Sequence, residues 1–319
     1  MNKEKVVVAF DTSNYTTSVA VIGVDGRLIA NLKHPLVVRE GHRGIRQADA
    51  VFLHTVNLPV LMREARKYID GKEVVAVGVS EKPRNVQGSY MPCFLTGVSA
   101  AESFAAPLCV PVYRFSHQCG HIMAVIYSSG RHELADESFA ALHISGGTTE
   151  LLRVTPLQSG FETEIVGGTL DLNAGQVIDR VGVNLGLRFP CGNDLEKLAL
   201  TNTAKIPKRK ISGEGMAVNL SGLENMALKL YEDTKDAPLT AAFVFDYIGN
   251  AVSNISEAYI EKYGDTPFVY AGGVMCNSLI KNKLSEKFDA AFAEPALSCD
   301  NAVGVAMLAL TAYKAERGL

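Results

Sequence analysis

Two histidines four positions apart, His117 and His121, stand in the largely apolar stretch RFSHQCGHIMAV. Residues i and i+4 project from one face of a helix, with Cβ atoms about 5–6 Å apart, so their imidazole rings can share one cation. Ser116 precedes the pair and is typical of a helix N-cap, which predicts that a helix begins there. The stretch is therefore either half of a metal site or two polar residues on one helical face.

The HxxxH spacing by itself does not identify the chemistry. A zincin protease carries HExxH, in which the glutamate is the catalytic base, and Gln118 stands in that place here. The chain also has no credible Ser/His/Asp arrangement, so a protease is the least favoured class. Two histidines need at least one further ligand, which must come from elsewhere in the chain.

Four glycine-rich segments are candidates for contacts with a nucleotide. They are HISGGTTEL (143–151), IVGGTLDLNAG (165–175), FPCGNDLEKLA (189–199) and FVYAGGVMCNS (268–278). Backbone without a Cβ approaches a phosphate closely, and the N-terminus of a following helix favours an anion. Any one segment is equally well explained as a tight turn, but several in one α/β chain favour nucleotide binding.

The hydrophobic pattern predicts one order of elements twice. Three strand-like runs, VVVAF, TTSVAVIG and GRLIANLKH, precede a helix, a strand, a helix and a strand. Pro59 predicts a kink in the first of these helices. A second set of three strands, FAALHISGG, TTELLRVTP and GFETEIVGGT, is again followed by helices and strands. The repeat implies two similar α/β lobes with a cleft between them.

Composition excludes several classes of protein. The chain has 319 residues, 47% of them hydrophobic and 20% charged, which argues against global disorder. A net charge of -3 argues against a protein that coats nucleic acid by charge alone. The N-terminal apolar run is too short for a secretory signal, and no segment approaches the ~20 apolar residues of a membrane span. We expect a cytoplasmic protein with no membrane contact, whose six cysteines, which form no CxxC pair, are reduced thiols.

The stretch TNTAKIPKRKISGEG (201–215) is the best candidate for a surface insertion. It carries the densest positive charge of the chain, at Lys205, Lys208, Arg209 and Lys210. Such a run is either a solvated loop or a contact with nucleic acid, and composition favours the solvated loop.

Seven segments together resemble the TsaD family, the tRNA N6-threonylcarbamoyladenosine synthases formerly called O-sialoglycoprotein endopeptidases. The segments are FDTSNYTTSVAV, FSHQCGHIMA, HISGGTTEL, TLDLNAGQVIDRVGVNLGLRFPCG, VNLSGLENMALK, FVYAGGVMCNS and SCDNAVGVAMLA, and they follow the family's order over nearly the whole chain. The resemblance implies the ASKHA (actin-like ATPase) fold, an α/β fold of two duplicated RNase H-like lobes with an interlobe cleft for nucleotide and metal. We expect residues 1–115 with about 300–319 to form the N-terminal lobe and 116–299 the C-terminal lobe.

The resemblance also implies site residues. His117 and His121 match the family's metal pair, and Asp300 in SCDNA matches its third ligand, for one divalent iron or zinc ion. An adenine nucleotide or threonylcarbamoyl-AMP would contact His143, Ile144, Ser145, Gly146, Gly147, Asp179, Gly192, Glu196 and Asn277. Other members carry an apolar residue or tyrosine at position 143, so His143 is either a further ligand or a polar strand residue. No catalytic residue is assigned beyond the metal site.

The implied reaction moves a threonylcarbamoyl group from its adenylate to N6 of adenosine 37 in tRNA. TsaB-like and TsaE-like companion proteins, or a homodimer, would be the protein partners. Two alternatives stay open: an O-carbamoyltransferase-like enzyme with a small-molecule acceptor, and a non-catalytic TsaB-like subunit. TsaB-like chains lack the histidine pair, which argues against the second alternative.

Three segments depart from the family's pattern, all in the N-terminal part. Tyr15 and Thr16 stand where the family has two acidic residues, and residues 81–94 occupy the place of its GPGL loop. Residues 40–54 replace a glycine-rich stretch that ends in an Arg-x-His pattern. The departures suggest a divergent paralogue with a changed acceptor or partner, although sequence drift explains them equally well.

Overall fold

The computed structural model describes residues 3–13, 15–37 and 44–319. Asn14 and the first residues of the divergent segment 40–54 therefore lie outside the described residues. The chain divides into two compact units. Unit 1 contains the described residues up to Glu137, with Thr155–Glu162 and Ala293–Leu319; unit 2 contains Ser138–Val154 and Thr163–Phe292.

Unit 1 has a five-stranded mixed sheet. Its strands are β1 (Lys5–Asp11), β2 (Thr16–Gly23), β3 (Leu28–Pro35), β4 (Glu73–Lys82) and β5 (Val112–Ser116), in the order β3-β2-β1-β4-β5. β2 runs antiparallel to β1 and β3, whereas β4 runs parallel to β1 and β5. The side chains of β1 from Val6 to Phe10 are fully buried, since helices cover both faces of the sheet.

Five α-helices complete the part of unit 1 that the structure describes. They are α1 (Gln47–Ile69), α2 (Phe94–Ala105), α3 (His117–Ser129), α9 (Pro295–Ser298) and α10 (Val303–Arg317). α1 and α2 pack on one face of the sheet, and α10 packs on the other together with α3. α1 continues through Pro59, whose side chain is exposed. The lobe limits expected from the resemblance stay a prediction about domains, but α3 packs within unit 1 because glycines let it approach α10 closely.

Unit 2 repeats the strand order of unit 1. The strands of its sheet are β6 (Phe139–Ile144), β7 (Thr149–Leu157), β8 (Gly160–Thr169), β9 (Gly213–Glu214), β10 (Ala217–Val218), β11 (Phe268–Ala271) and β12 (Ala290–Phe292). The end of β7 and the start of β8, within Thr155–Glu162, belong to unit 1. The sheet order is β12-β11-β6-β7-β8-β10-β9. Without the two short strands β9 and β10, this is the β3-β2-β1-β4-β5 order of unit 1. β11 is parallel to β6 and β12, as β4 is to β1 and β5, so the predicted duplication is confirmed.

The helices of unit 2 include two that the sequence pattern did not predict. They are α4 (Ala174–Asn184), α5 (Gly192–Leu200), α6 (Ser221–Thr234), α7 (Ala237–Tyr263) and α8 (Ser278–Ser285). α5 and α6 were not predicted, although Leu195 with Ala199 and Leu223 with Ala227 have the i, i+4 spacing of a buried helical face. Of the expected surface insertion 201–215, residues 202–212 form no helix or strand, whereas Gly213–Glu214 form β9. None of the described helices has both the length and the apolar character that a membrane span needs.

Candidate functional site

The helix that carries the histidine pair begins where the sequence predicts. Ser116 is the N-cap of α3, and its Oγ accepts a hydrogen bond of 3.2 Å from the backbone N–H of Cys119. His117 and His121 therefore lie on one face of the first turns. Their Nε2 atoms are 2.9 Å apart, which directs both rings at one point.

Asp300 reaches the same point from the loop that precedes α10. Its Oδ1 lies 3.4 Å from Nε2 of His117 and 3.4 Å from Nε2 of His121. Ligand atoms about 2.0–2.1 Å from one tetrahedral or octahedral ion lie about 2.9–3.4 Å from one another. The three residues thus fit a single ion, and they form the one such group of His, Cys, Asp and Glu found among the described residues.

The turn around Asp300 is held by its neighbour Asn301. The buried amide of Asn301 donates 2.8 Å hydrogen bonds to the carbonyls of Leu297 and Cys299, and its Oδ1 accepts one of 2.9 Å from the N–H of Val303. These bonds tie the end of α9 to the start of α10. The carboxylate of Asp300 is thereby held in a defined place, with 23% of its side chain exposed.

A second carboxylate, which the sequence analysis did not select, lies behind His117. Asp11 ends β1 and is fully buried, and its Oδ2 lies 2.8 Å from Nδ1 of His117. The only signal in the sequence is an acidic residue that directly follows an apolar strand. Nothing in the sequence relates that position to a histidine more than one hundred residues away.

The electrostatics of this group follow from burial and close pairing. Burial lowers the pKa of His117, but the charges of Asp11 and Asp300 and their hydrogen bonds outweigh it and raise that pKa to about 10. Burial and the charge of His117 lower the pKa of His121. Burial raises the pKa of Asp300, but hydrogen bonds from the two histidines outweigh it and hold that pKa well below its usual range. Asp300 therefore presents a carboxylate, and His121 a neutral imidazole, to an incoming cation, whereas His117 must release its Nε2 proton when the cation binds.

The loop after β6 in unit 2 has an open backbone face. The N–H of Ser145 donates to the carbonyl of Thr148 at 2.8 Å, and the N–H of Gly147 donates to Oγ of Ser145 at 3.3 Å. A Cβ added to Gly146 or Gly147 would meet nothing within 4 Å, whereas one added to Gly175 would lie 2.6 Å from the carbonyl oxygen of Ser145. The N-terminus of α4 thus abuts the loop, an arrangement that suits a phosphate.

Other predicted nucleotide residues support the loops of unit 2. Oδ1 of Asp179 accepts a 2.8 Å hydrogen bond from the N–H of Cys191, which fixes the backbone just before Gly192, and burial raises the pKa of Asp179. A Cβ at Gly192 would meet nothing within 4 Å, so the space beside it is open. Oε1 of Glu196 accepts from the N–H and the hydroxyl of Ser278, at 2.7 and 2.6 Å. Glu196 therefore holds the start of α8 in place.

Asn277 is the N-cap of α8. Its Oδ1 accepts a 3.1 Å hydrogen bond from the N–H of Ile280, while its Nδ2 is buried and has no hydrogen-bond partner among the described residues. Because buried N–H groups are normally hydrogen-bonded, the Nδ2 group of Asn277 is suited to donate to a bound molecule.

Two further predicted nucleotide residues, His143 and Ile144, are buried in β6. His143 pairs in register with Glu150 and Ala271, and it is not part of the three-residue metal group.

Comparison with known proteins assigns the family. The model of the TsaD family, described as tRNA N6-adenosine threonylcarbamoyltransferase, matches residues 29–307. The chain belongs to the TsaD family. A TsaD-family relative from Christiangramia forsetii, named tRNA N6-adenosine threonylcarbamoyltransferase, is 28% identical over 90% of this chain and 85% of its own. One from Streptococcus suis with the same name is 28% identical over 99% of this chain and 95% of its own.

Solved structures similar to this member of the TsaD family share the fold. HypF from T. kodakarensis has a TM-score of 0.61 at 14% identity, over 98% of this chain and 48% of its own. The activator of 2-hydroxyisocaproyl-CoA dehydratase from Clostridium difficile has a TM-score of 0.53 at 14% identity, over 98% of this chain and 97% of its own. Together with the two sheets, these likenesses confirm the ASKHA fold expected from the sequence.

Proposed function

We propose that this protein transfers a threonylcarbamoyl group from threonylcarbamoyl-AMP to N6 of adenosine 37 in tRNA, in the cytoplasm. The observation that carries the proposal is the convergence of His117, His121 and Asp300 on one point in a chain of the TsaD family. In this reaction the amine nitrogen attacks the carbonyl carbon and loses one proton to solvent, the bond from that carbon to the phosphate oxygen breaks, and AMP leaves.

We assign His117, His121 and Asp300 as ligands of one divalent ion, iron or zinc. Imidazole nitrogen suits both metals, and a carboxylate oxygen completes a set that leaves coordination positions open. When bound, the ion supplies a Lewis acid for a carbonyl oxygen. The N-cap of α3 holds the two histidines in place, and the Asn301 turn holds Asp300.

We assign the adenylate to the loops of unit 2. The open backbone at Gly146 and Gly147 and the N-terminus of α4 favour the phosphate, and they stabilise the charge that AMP carries as it leaves. Asp179 and Gly192 would contact the ribose and the base, and the unpartnered Nδ2 of Asn277 would donate to the nucleotide. Glu196 supports Asn277 indirectly, because both of its hydrogen bonds go to Ser278.

We assign tRNA backbone contacts to the segment 201–212. Lys205, Lys208, Arg209 and Lys210 are all exposed there. Because the net charge of the chain is -3, contacts with tRNA phosphates must come from a local basic patch.

We propose that a companion protein covers the outer face of α1. Phe52, Val56 and Val60 lie four residues apart on that face and are 66%, 51% and 43% exposed. An apolar row of this kind on a surface helix is typical of an interface. A TsaB-like protein would cover the row and a TsaE-like protein would complete the assembly, or a second copy of the chain would take the companion's place.

The direct test incubates the protein with threonylcarbamoyl-AMP and unmodified tRNA, with and without companion proteins, and detects the modified nucleoside by mass spectrometry. We expect product with the wild type, none with the His117→Ala, His121→Ala double variant, and wild-type product with His132→Ala, which changes an exposed histidine. Absence of product from the wild type with all companions present would overturn the proposal. AMP release that depends on an added small-molecule hydroxyl compound, without modified tRNA, would favour a small-molecule acceptor.

A further inference from the structure

Asp11 is a buried carboxylate that has no assigned role in the proposed reaction. It lies at the end of β1, and none of its surface is exposed. Its Oδ1 accepts a 2.9 Å hydrogen bond from the N–H of Ser13, and its Oδ2 accepts one from the hydroxyl of Ser80 on β4. Because β1 and β4 are adjacent parallel strands in the sheet of unit 1, the carboxylate is held from both strands.

The same Oδ2 faces the imidazole of His117. It lies 2.8 Å from Nδ1, whereas Nε2 of that ring faces His121 at 2.9 Å and Asp300 at 3.4 Å. The two ring nitrogens therefore have different partners. The Nδ1 side faces a fixed carboxylate, and the Nε2 side faces the point at which the three ligand atoms converge.

We propose that Asp11 is a positioning residue, which accepts a hydrogen bond from Nδ1–H of His117 and so directs Nε2 of that ring at the metal. The inference rests on the proposed function, in which His117 is a metal ligand. A histidine that donates its second ring N–H to a carboxylate is held in one tautomer and one orientation, and it is a better ligand for that reason.

Two observations favour this role over the alternatives. Asp11 is not itself a fourth ligand, because its Oδ2 lies on the Nδ1 side of the ring, away from the point that Nε2 faces. Nor is it only a packing residue of the strand. Burial of a carboxylate is costly unless it is paired, and the bonds from Ser13 and Ser80 keep the group in place to face the ring.

The test is a titration of the full chain with Zn²⁺ against a competing chelator. Asp11→Asn keeps the shape of the side chain and removes its charge, and we expect it to bind zinc about 10–100-fold more weakly. Thr17→Val is the matched control, because Thr17 is also fully buried in the sheet of unit 1 but contacts His54 and Asn57 instead of His117. We expect it to bind zinc as the wild type does.

Two additions keep the test decisive. The variant Ser80→Ala tests the same role if Asp11→Asn does not fold. It leaves the carboxylate in place but removes one of its hydrogen-bond donors, and we expect its zinc affinity to fall by a few fold. The absorption spectrum of bound Co²⁺ reports ligand geometry, and we expect it to change in Asp11→Asn and to stay unchanged in Thr17→Val.

The outcomes separate this inference from the proposed function. Wild-type affinity no higher than that of His117→Ala, His121→Ala would overturn the metal site, and the role of Asp11 with it. Tight binding by the wild type, with equal affinity in Asp11→Asn and Ser80→Ala, would overturn the role of Asp11 alone. Weaker binding in both variants with an unchanged control supports the inference.

Discussion

Gly304 of α10 lies against the backbone carbonyl of Gly120 in α3. A Cβ at position 304 would collide with that carbonyl and lie 2.8 Å from the amide nitrogen of Ala124, and a Cβ at position 120 would lie 2.9 Å from Cγ2 of Val305. Gly120 stands between His117 and His121, and Gly304 follows Asp300 by four residues. The close approach of the two helices therefore sets the distance between the proposed metal ligands.

Substitution at this contact should weaken both the fold and the metal site. We expect Gly304→Ala to lower the free energy of unfolding by about 1–3 kcal/mol, because the added methyl group forces α10 away from α3. Zinc affinity should fall as Asp300 moves with α10. Gly222→Ala is the control, since Gly222 lies in α6 with open space around it. Thermal unfolding and chelator competition measure the two effects, and a Gly304→Ala variant with wild-type values in both would contradict the role of this contact.

His54 should make the stability of the protein depend on pH. It is fully buried, its Nδ1 lies 2.8 Å from Oγ1 of Thr17, and its Nε2 has no hydrogen-bond partner among the described residues. Burial lowers its pKa, and the opposing effects of Asp11, Asp300 and the backbone of Ser13 do not outweigh burial.

The sign follows from the direction of that shift. Below the unfolded-state pKa of about 6.5 the unfolded chain gains a proton that the folded chain does not bind, so stability falls as pH falls. The free energy of unfolding then falls by up to about 1.4 kcal/mol per pH unit, until the pH reaches the pKa of His54 in the folded protein. His54→Asn keeps a polar atom near Thr17 but does not titrate. We expect the difference in unfolding temperature between wild type and variant to shrink from pH 7.5 to 5.5, and a constant difference would show that His54 does not contribute.

Asn277 can be tested without loss of its helix cap. Asn277→Asp keeps the oxygen that accepts from Ile280 and replaces the Nδ2 donor with a second oxygen, so α8 should remain intact. We expect AMP affinity to fall about tenfold or more, because an unmade hydrogen bond to a buried group costs about 1–3 kcal/mol. Asn282→Ala, at an exposed position of the same helix, is the control. Calorimetric titration with AMP measures both, and equal affinities would remove Asn277 from the nucleotide site.

The basic segment should act through salt-dependent contacts. We expect Lys208→Glu with Arg209→Glu to weaken tRNA binding and to reduce the slope of log affinity against log salt, since fewer counterions are released. Arg63→Glu with Lys67→Glu changes the net charge equally at exposed positions of α1 and controls for that change. Filter binding at several salt concentrations measures the tRNA affinity and its slope. An unchanged slope in the Lys208→Glu, Arg209→Glu variant would exclude these two residues as phosphate contacts.

The apolar row on α1 should be needed for assembly and not for folding. We expect Phe52→Asp with Val56→Asp to abolish association with the companion protein in analytical ultracentrifugation, while the unfolding temperature changes little because both side chains are exposed. Leu157→Asp changes an exposed leucine elsewhere in unit 1 and should associate normally. Normal association of the α1 variant would place the interface on another surface.

The amino-acid sequence by itself determined the family, the ASKHA fold, the transferase class, the duplicated strand order and the residue at which α3 begins. These properties depend on local patterns, such as Ser116 before a helical apolar stretch, or on motifs that keep their order along the chain. α5 and α6 were missed, although Leu195 with Ala199 and Leu223 with Ala227 give each helix the i, i+4 spacing of a buried face. The lobe limits, the adenylate contacts and the divergence in the N-terminal part stay predictions.

Only the tertiary structure decided what surrounds the histidine pair. The HxxxH spacing gives two rings on one helical face, but the distances from those rings to Asp300 depend on how closely α10 approaches α3, which Gly120 and Gly304 decide together. The place of Asp11 behind His117 depends on the pairing of β1 with β4 and of β4 with β5, which leads into α3. Packing brings these residues together across more than one hundred positions of sequence, and no local pattern encodes such a contact.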